Sequence, residues 1–246
     1  MPADEDYITC EWDPINTLLG GGLRRGSTCL IEELQGESRG VSGLLGVSFL
    51  RNGIKKDEGA IILLSEHTVD EYDHLPPVEA LTKEAKPDQL LLMDGLSSLA
   101  YGESTSPPKD GVIRCSNVRY TAKFYEEFRI TVKRFDQARM YIDSLSVLLH
   151  SMESDRAAWQ FWLALVPLIQ HRKLTVVASF YPEMHSPQFA ESIERLSDTI
   201  IRFTALPAAL NETPTRQIQI VKNRGFTFSQ KIHSYERKGY EYYINE

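Results

Sequence analysis

The sequence predicts a three-layer α/β fold, in which a mostly parallel central sheet is flanked by helices. Six short apolar runs of strand length alternate along the chain with amphipathic or turn-rich stretches. Because these runs are apolar on both faces, we expect strands that are buried between two layers of helices. The predicted strands are Thr28–Leu34, Ala60–Ser65, Gln89–Met93, Arg139–Ile142, Leu174–Phe180 and Thr199–Phe203.

Two of the intervening stretches have the periodicity of helices. In Val118–Phe135 large apolar residues recur every four positions, which predicts one apolar helical face. Ser154–Arg172 has a wide apolar side, and Ser154 is a good N-cap for such a helix. Pro167 lies inside this second helix, where we expect a kink.

The end of the chain has a different pattern, and two earlier segments are rich in proline. Arg216–Val221 alternates polar and apolar residues, and Phe226–Ile244 is rich in Tyr, Phe and Lys. Both segments predict antiparallel strands with one face in water at the C-terminal end of the sheet. Leu75–Asp88 and Gly102–Ser116 are polar and carry several prolines, so we expect two long loops.

The composition is that of an ordinary globular protein, and we expect residues 1–246 to form a single domain. The chain is 42% hydrophobic and 25% charged, and its net charge is −7, which gives no broad electrostatic reason to bind nucleic acid. No apolar run reaches the ~18 residues of a membrane helix, and MPADEDYITC has no apolar core of a secretory signal. Cys10, Cys29 and Cys115 form no CxxC pair, which favours a reducing, cytoplasmic location without disulfides, zinc or another metal site.

The most distinctive segment is Leu18–Gly53, where a glycine-rich turn, a strand, a glycine-containing loop and a helix follow one another. This order directs backbone N–H groups and a helix N-terminus at phosphates. Together with GAIILLSEH, RMYIDSLSVLL, TVVASF and IVKNRG, the segment resembles the KaiC-like branch of the RecA superfamily of P-loop ATPases. The resemblance extends to Gly225 and implies a RecA-like fold. A second resemblance, mainly over the first third, is to the RecA-fold accessory subunits of Elongator, which lack the P-loop lysine and build a ring.

The sequence departs from this family at the phosphate-binding loop. Gly36–Gly43 reads GESRGVSG, whereas a P-loop has G-x-x-x-x-G-K-[ST]. In one alignment Val41 replaces the second glycine, Ser42 the lysine and Gly43 the metal-binding hydroxyl. A shift of one residue places Gly40 at the second glycine and Ser42 at the hydroxyl, but Val41 then replaces the lysine. Either alignment predicts a degenerate Walker A motif, whose missing charge-assisted contact removes about 1.5–3 kcal/mol of binding.

Charged residues around this loop also oppose phosphate binding. Glu32, Glu33 and Glu37 add negative charge next to it. Arg39 is able to replace part of the lysine's function, because a guanidinium binds phosphate, but an ion pair with one of these glutamates is the preferred interpretation.

The resemblance implies roles for four further residues. Glu66 stands at the position of the catalytic glutamate, and His67 replaces the second glutamate of the family. Asp143 stands at the Walker B position, where the family's aspartate orients Mg²⁺ through water. Lys222 and Arg224 match a K-x-R pair that reaches the γ-phosphate of the neighbouring subunit. Each of these residues also has a structural interpretation. Glu66 and Asp143 are typical of residues that cap a helix or form hydrogen bonds with a loop, and Lys222 and Arg224 of solvated charges on an edge strand.

These observations predict a non-catalytic pseudo-ATPase that acts as a scaffold or regulatory subunit in an oligomeric, ring-like assembly. It is expected to bind protein partners and no cofactor, with a vestigial nucleotide site at Gly36, Arg39, Gly40, Ser42, Gly43 and Asp143. If that site is inactive, we expect Lys222 and Arg224 to pair with Glu32, Glu33 or Glu37 of a neighbouring subunit.

Two alternatives stay open. One is an ATP- and Mg²⁺-binding signalling ATPase of the KaiC-like type with an unusual P-loop. The other is a nucleic-acid-binding protein similar to the RecA paralogues, which would stack bases on the aromatic and basic C-terminal residues. The residues considered for such stacking are Tyr235, Tyr240, Tyr242, Tyr243, Lys231, Arg237 and Lys238.

Overall fold

The computed structural model describes residues 7–34, 40–101, 110–206, 215–238 and 241–245. The strands are β1 Tyr7–Ile8, β2 Leu23–Arg24, β3 Thr28–Glu33, β4 Gly59–Leu64, β5 Leu90–Asp94, β6 Val112–Arg114, β7 Ala138–Asp143, β8 Thr175–Phe180, β9 Thr199–Leu206, β10 Thr215–Asn223, β11 Ile232–Lys238 and β12 Glu241–Asn245. The α-helices are α1 Asp13–Leu18, α2 Val41–Ile54, α3 Val69–Asp73, α4 Pro76–Glu84, α5 Ser97–Tyr101, α6 Thr121–Val132, α7 Leu145–His150, α8 Asp155–His171 and α9 Pro187–Leu196.

Ten of these strands form one sheet in the order β12-β11-β10-β9-β3-β8-β7-β4-β5-β6. The seven strands from β9 to β6 pair in parallel, whereas β10, β11 and β12 pair antiparallel at the other end. In the sheet, β3 and the next strand in sequence, β4, are separated by two positions. The later strands β8 and β7 occupy these two positions. The carboxyl ends of β3, β8, β7 and β4 therefore meet side by side at one edge of the sheet.

Two apolar clusters cover the two faces of the sheet. One contains the buried side chains of α1, α2, α3 and α4, and the other contains those of α6, α7, α8 and α9. The structure is thus a three-layer α/β fold with antiparallel strands at its C-terminal end, as the sequence predicts. Each of the six runs predicted to be strands is a strand of the sheet, and α6 and α8 lie within the two predicted helices.

The first of the two proline-rich segments does not match its prediction as a long loop, and the second is described only in part. Within Leu75–Asp88 the chain forms the helix α4, which begins at Pro76 and buries Val78 and Leu81. Prolines in the first turn of a helix lose no hydrogen bond, because the first N–H groups have no partner within the helix. In the second segment Val112–Arg114 adds β6 to the edge of the sheet, and residues 102–109 lie outside the described residues. The helix α8 continues through Pro167.

The helix α2 packs closely on β7 because two of its residues are glycines. A Cβ at Gly46 would lie 2.4 Å from the ring of Tyr141, and one at Gly53 would lie 2.6 Å from Arg139 Cδ. Tyr141 and Arg139 are two residues apart on β7, so both side chains point to the face that α2 covers. The two glycines thus allow α2 to pack close to β7. This packing determines the distance between the first residues of α2 and the carboxyl ends of the strands.

Arg139 joins β7, α2 and the N-terminal segment within the core. Its Nε donates to Glu58 Oε2 at 2.6 Å, and its Nη1 donates to the backbone carbonyl oxygens of Thr9 and Phe49. Arg25 Nη2 binds the other oxygen of Glu58 at 2.9 Å. A buried charge is tolerated only with such partners. Among the helices of the described residues, none has the length and apolar character needed to cross a membrane.

Candidate functional site

The helix that follows β3 begins at Val41, directly after a glycine in the left-handed region. Gly40 has a φ of 126° and precedes α2 without a side-chain cap. Only glycine adopts this conformation at low cost. The alignment that places Gly40 at the second P-loop glycine, Val41 at the lysine and Ser42 at the hydroxyl gives this conformation to a glycine, and it stays a prediction. Val41 is 0% exposed, and its apolar side chain belongs to the core.

Glu33, the last residue of β3, binds the start of α2. Its Oε1 accepts a hydrogen bond from the backbone N–H of Ser42 at 2.7 Å, and the side chain is buried. The first N–H groups of a helix lack partners within the helix and attract anions. In a P-loop a phosphate binds here. In this chain the carboxylate of Glu33 accepts a hydrogen bond from one of these N–H groups.

Asp143, at the Walker B position, is engaged by His67. The Nδ1 of His67 lies 2.7 Å from Asp143 Oδ2. This hydrogen bond raises the pKa of His67 above its ordinary value, with partial burial opposing the shift and the charges of Asp143, Glu66 and Glu71 adding to it. The ends of β4 and β7 are also joined by Ser65, whose hydroxyl donates to the backbone oxygens of Asp143 and Ser144 at 2.9 and 2.7 Å.

Glu66 lies between β4 and Tyr181. The hydroxyl of Tyr181 donates to Glu66 Oε2 at 3.4 Å. Burial raises the pKa of Tyr181 above its ordinary value, and the negative charges of Glu33, Glu66 and Asp143 raise it further. The carboxylates at the ends of β3, β4 and β7 thus place negative charge near one phenol at this edge of the sheet.

A cleft of about 350 Å³ opens beside these residues. Its polar side is formed by the start of α2 and by the residues at the ends of β4, β7 and β8, and its apolar side by α2, α3 and α4. It is lined by Gly40, Ser42, Gly43, Leu44, Val47, Glu66, His67, Tyr72, Leu75, Pro76, Pro77, Val78, Asp143 and Tyr181. Four of the predicted site residues, Gly40, Ser42, Gly43 and Asp143, therefore come together with Glu66, while Gly36 and Arg39 lie outside the described residues.

These residues do not fit Mg-ATP. Val41 supplies no charge, Glu33 takes the N–H of Ser42, and His67 binds one oxygen of Asp143. Across the described parts of the chain, no group of three or more His, Cys, Asp or Glu side chains is placed to hold a metal ion.

Lys222 and Arg224 contact the C-terminal end of α9 in their own chain. The Nζ of Lys222 donates to the backbone oxygens of Glu194 and Ser197 at 3.0 and 2.5 Å, and also to that of Arg195. Burial lowers the pKa of Lys222 below its ordinary value, and the charge of Arg224 lowers it further. Arg224 binds the same oxygen of Arg195 and lies 3.5 Å from Asp198 Oδ1. The last carbonyls of a helix favour such cations.

Two of the three glutamates expected to reach a neighbouring subunit are not available for that contact. Glu32 is buried and accepts a hydrogen bond from Arg202 Nε at 2.7 Å. Glu33 is buried against Ser42. Successive residues of a strand point to opposite faces, and each of these two glutamates has a partner in its own chain. The pairing of Lys222 and Arg224 with a neighbouring subunit stays a prediction. Glu37 lies outside the described residues.

Two tyrosines of the aromatic C-terminal segment are part of the core. Tyr235 and Tyr242 are buried, and their rings pack with Phe203 and Trp12 respectively. Tyr243 is 44% exposed and lies under the Nζ of Lys238 at 5.2 Å from the ring centroid. A surface that stacks bases would need exposed rings, and two of the four tyrosines considered for it are buried. Tyr240 and the side chain of Arg237 lie outside the described part of the structure.

Comparison with known proteins agrees with this geometry. A family model described as "ATPase: KaiC" matches residues 13–241. The chain belongs to this KaiC family. The crystal structure of a KaiC-like protein, PH0186, from the hyperthermophilic archaeon Pyrococcus horikoshii OT3 has a TM-score of 0.63 with the chain at 16% identity, covering 94% of each. At this identity the likeness shows the fold alone, and it confirms the predicted RecA-like fold. None of the curated proteins compared with the chain is significantly similar to it.

Sequence reasoning missed the roles of Glu33 and Tyr181. The sequence places Glu33 in an acidic cluster next to the loop and offers it as a partner for a neighbouring subunit, but it does not indicate the bond to Ser42. Tyr181 follows directly after the predicted strand Leu174–Phe180. Its position at the carboxyl end of a parallel strand was the one signal that would have placed it at the site, because ligands bind at this edge of α/β sheets.

Proposed function

We propose that this KaiC-family chain is a pseudo-ATPase that acts as a scaffold or regulatory subunit of an oligomeric assembly. The observation that carries the proposal is the hydrogen bond of 2.7 Å from the Ser42 N–H to Glu33 Oε1. A carboxylate of the chain thereby holds the helix N-terminus at which a P-loop holds phosphate.

The energetic argument concerns the lost lysine and the added carboxylate. Replacing the lysine with Val41 removes a charge-assisted contact of about 1.5–3 kcal/mol, which is roughly ten- to 150-fold in affinity. Binding a phosphate would further require Glu33 to leave Ser42 or to remain close to a second anion. Both effects act against nucleotide binding, and neither affects the sheet or the helices.

A role in assembly is supported by the antiparallel end of the sheet. Leu206, Val221, Ile232 and Tyr243 are large apolar residues that are exposed on the neighbouring strands β9, β10, β11 and β12. They are spread along these strands, since Leu206 pairs with Thr215 at one end of β10 and Val221 lies near the other end. Exposed apolar residues on a sheet edge are a feature that contact surfaces use. We therefore propose that the antiparallel end of the sheet binds a protein partner or a second copy of this chain.

The test combines a hydrolysis assay with light scattering. Wild type and Glu66→Gln are incubated with Mg-ATP, and we expect phosphate release at the rate of the protein-free blank for both. The molar mass measured by light scattering should be the same with and without Mg-ATP. Turnover by the wild type that disappears in Glu66→Gln would overturn the proposal.

That result would favour a second candidate, an ATPase with an unusual P-loop. Its support is the retention of Glu66 and Asp143 at the ends of β4 and β7, together with the left-handed conformation of Gly40 before α2.

A further inference from the structure

We propose that the cleft beside α2 binds a small organic cation, namely a protonated amine on a short apolar chain. The inference rests on the proposed function, since a site that bound ATP would fill the same space with anionic phosphates. The ligand is therefore opposite in charge to the nucleotide of a P-loop.

The first argument is the charge of the cleft. Among the described residues that line it there are two carboxylates, Glu66 and Asp143, and no lysine or arginine. Glu33, at the end of β3, adds a third carboxylate next to the cleft, where it binds the N–H of the lining residue Ser42 at 2.7 Å. His67 is the one lining side chain of the described chain that is able to carry a positive charge, and it binds Asp143. The start of α2 also lines the cleft and would by itself attract an anion, but Glu33 accepts a hydrogen bond from its Ser42 N–H and offsets that charge. The two lining carboxylates then favour an ammonium, because charges near a protein surface attract more strongly than in bulk water.

The second argument is the opposite wall. Leu44 and Val47 from α2, and Leu75 and Val78 from the start of α4, present an apolar surface across from the strand ends. An alkyl chain that lies on this wall removes apolar surface from water, at about 0.8 kcal/mol for each buried methylene group. The cleft thus has an acidic end that would bind the ammonium group of an alkylammonium ion and an apolar side that would contact its alkyl chain.

The third argument is size and position. The volume of about 350 Å³ lies at the lower end of the range for small-molecule sites. The rings of Tyr72 and Tyr181 also line the cleft, and aromatic faces attract organic cations. The cleft lies at the carboxyl ends of parallel strands, where α/β sheets bind their ligands.

The experiment uses three probes that share one apolar chain and differ in charge. The full-length protein is titrated at pH 7.5 with hexylammonium chloride, hexan-1-ol and sodium hexanoate by saturation-transfer NMR. We expect hexylammonium to bind at least tenfold more tightly than hexan-1-ol, and hexanoate to bind more weakly than either. Equal affinity of the amine and the alcohol would overturn the inference.

Two variants and a control locate the site. Glu66→Gln should weaken binding of hexylammonium about tenfold, and Leu75→Ala, at an exposed residue of the apolar wall, should weaken it severalfold. Glu79→Gln alters an exposed residue of α4 whose carboxylate binds Lys83, and it should leave the affinity unchanged. Unchanged affinity in Leu75→Ala and in a folded Glu66→Gln would overturn the inference.

A titration with Mg-ATP on the same sample separates this inference from the proposed function. If neither ATP nor hexylammonium binds, the inference fails and the pseudo-ATPase proposal stands. If ATP binds and hexylammonium does not, the inference fails, and the hydrolysis assay then decides the pseudo-ATPase proposal. Binding of hexylammonium without binding of ATP is the result expected from both.

Discussion

The carboxylate of Glu33 and the backbone N–H of Ser42 are joined by a hydrogen bond of 2.7 Å, which links the end of β3 to the start of α2. The two residues lie on either side of positions 35–39, and Gly36–Gly43 is the segment predicted to be a degenerate Walker A motif. The bond satisfies an N–H group that has no partner within the helix. We propose that it also places a fixed negative charge at the helix start where a P-loop would hold a phosphate.

We predict that Glu33→Ala lowers the free energy of unfolding by about 1–2 kcal/mol, because the Ser42 N–H loses its acceptor and the helix loses a favourable charge at its N-terminus. Urea unfolding measures the change. Glu33→Gln keeps an oxygen acceptor and should lose less. A change within about 0.5 kcal/mol for Glu33→Ala would show that this contact does not hold the helix.

We predict that Gly46→Ala destabilises the protein by about 1–3 kcal/mol, although alanine is the better helix former. The added Cβ would overlap the ring of Tyr141, which is fully buried and lies 2.4 Å away. Gly43→Ala is the matched control in the same helix. Its Cβ would meet only the Tyr141 hydroxyl, at 3.9 Å, so it should be neutral or stabilise by up to about 1 kcal/mol. Equal unfolding midpoints for the two variants would contradict this account of α2.

We predict that Glu58→Gln costs about 3–5 kcal/mol of stability, because it leaves Arg139 without its buried counter-charge. Burial raises the pKa of Glu58, but hydrogen bonds and charges from Arg139 and Arg25 outweigh it and hold the pKa below its ordinary value. A lowered pKa stabilises the fold above the unfolded value of about 4.3 and loses that contribution as pH falls through the folded pKa. Urea unfolding at pH 7 and pH 3 should therefore show a smaller difference between wild type and variant at pH 3.

We predict that protonation of His67 stabilises the site. The bond to Asp143 raises the pKa of His67, so the stabilisation is present below the unfolded value of about 6.5 and is lost as pH rises through the folded pKa. An NMR titration of the His67 ring measures that pKa directly. Asp143→Asn should lower it, and an unchanged pKa in this variant would refute the pairing.

The sequence predicted the sheet well because buried parallel strands are apolar on both faces. Thr28–Leu34 and Arg139–Ile142 needed no knowledge of the rest of the chain to be recognised as strands. The helix α4 was missed because Pro76 and Pro77 are common both in loops and at the start of helices, and only the burial of Val78 and Leu81 distinguishes the two cases.

The contacts of the candidate site were harder to predict because they join residues that are distant in sequence. His67 and Asp143 are 76 positions apart, and Tyr181 and Glu66 are 115 positions apart. The missing lysine is visible in the sequence. The carboxylate that replaces the phosphate is not, because Glu32 and Glu33 are indistinguishable until the strand assigns them to opposite faces.

The most direct test of the central claim, that Glu33 takes the place of the phosphate, is the thermal unfolding midpoint of the wild type with about 5 mM Mg-ATP. We predict a midpoint equal to that of the protein without nucleotide. A ligand at about 100 times its Kd would stabilise the fold by about 2.7 kcal/mol, which is readily measured. A rise of several degrees that depends on ATP concentration would contradict the claim.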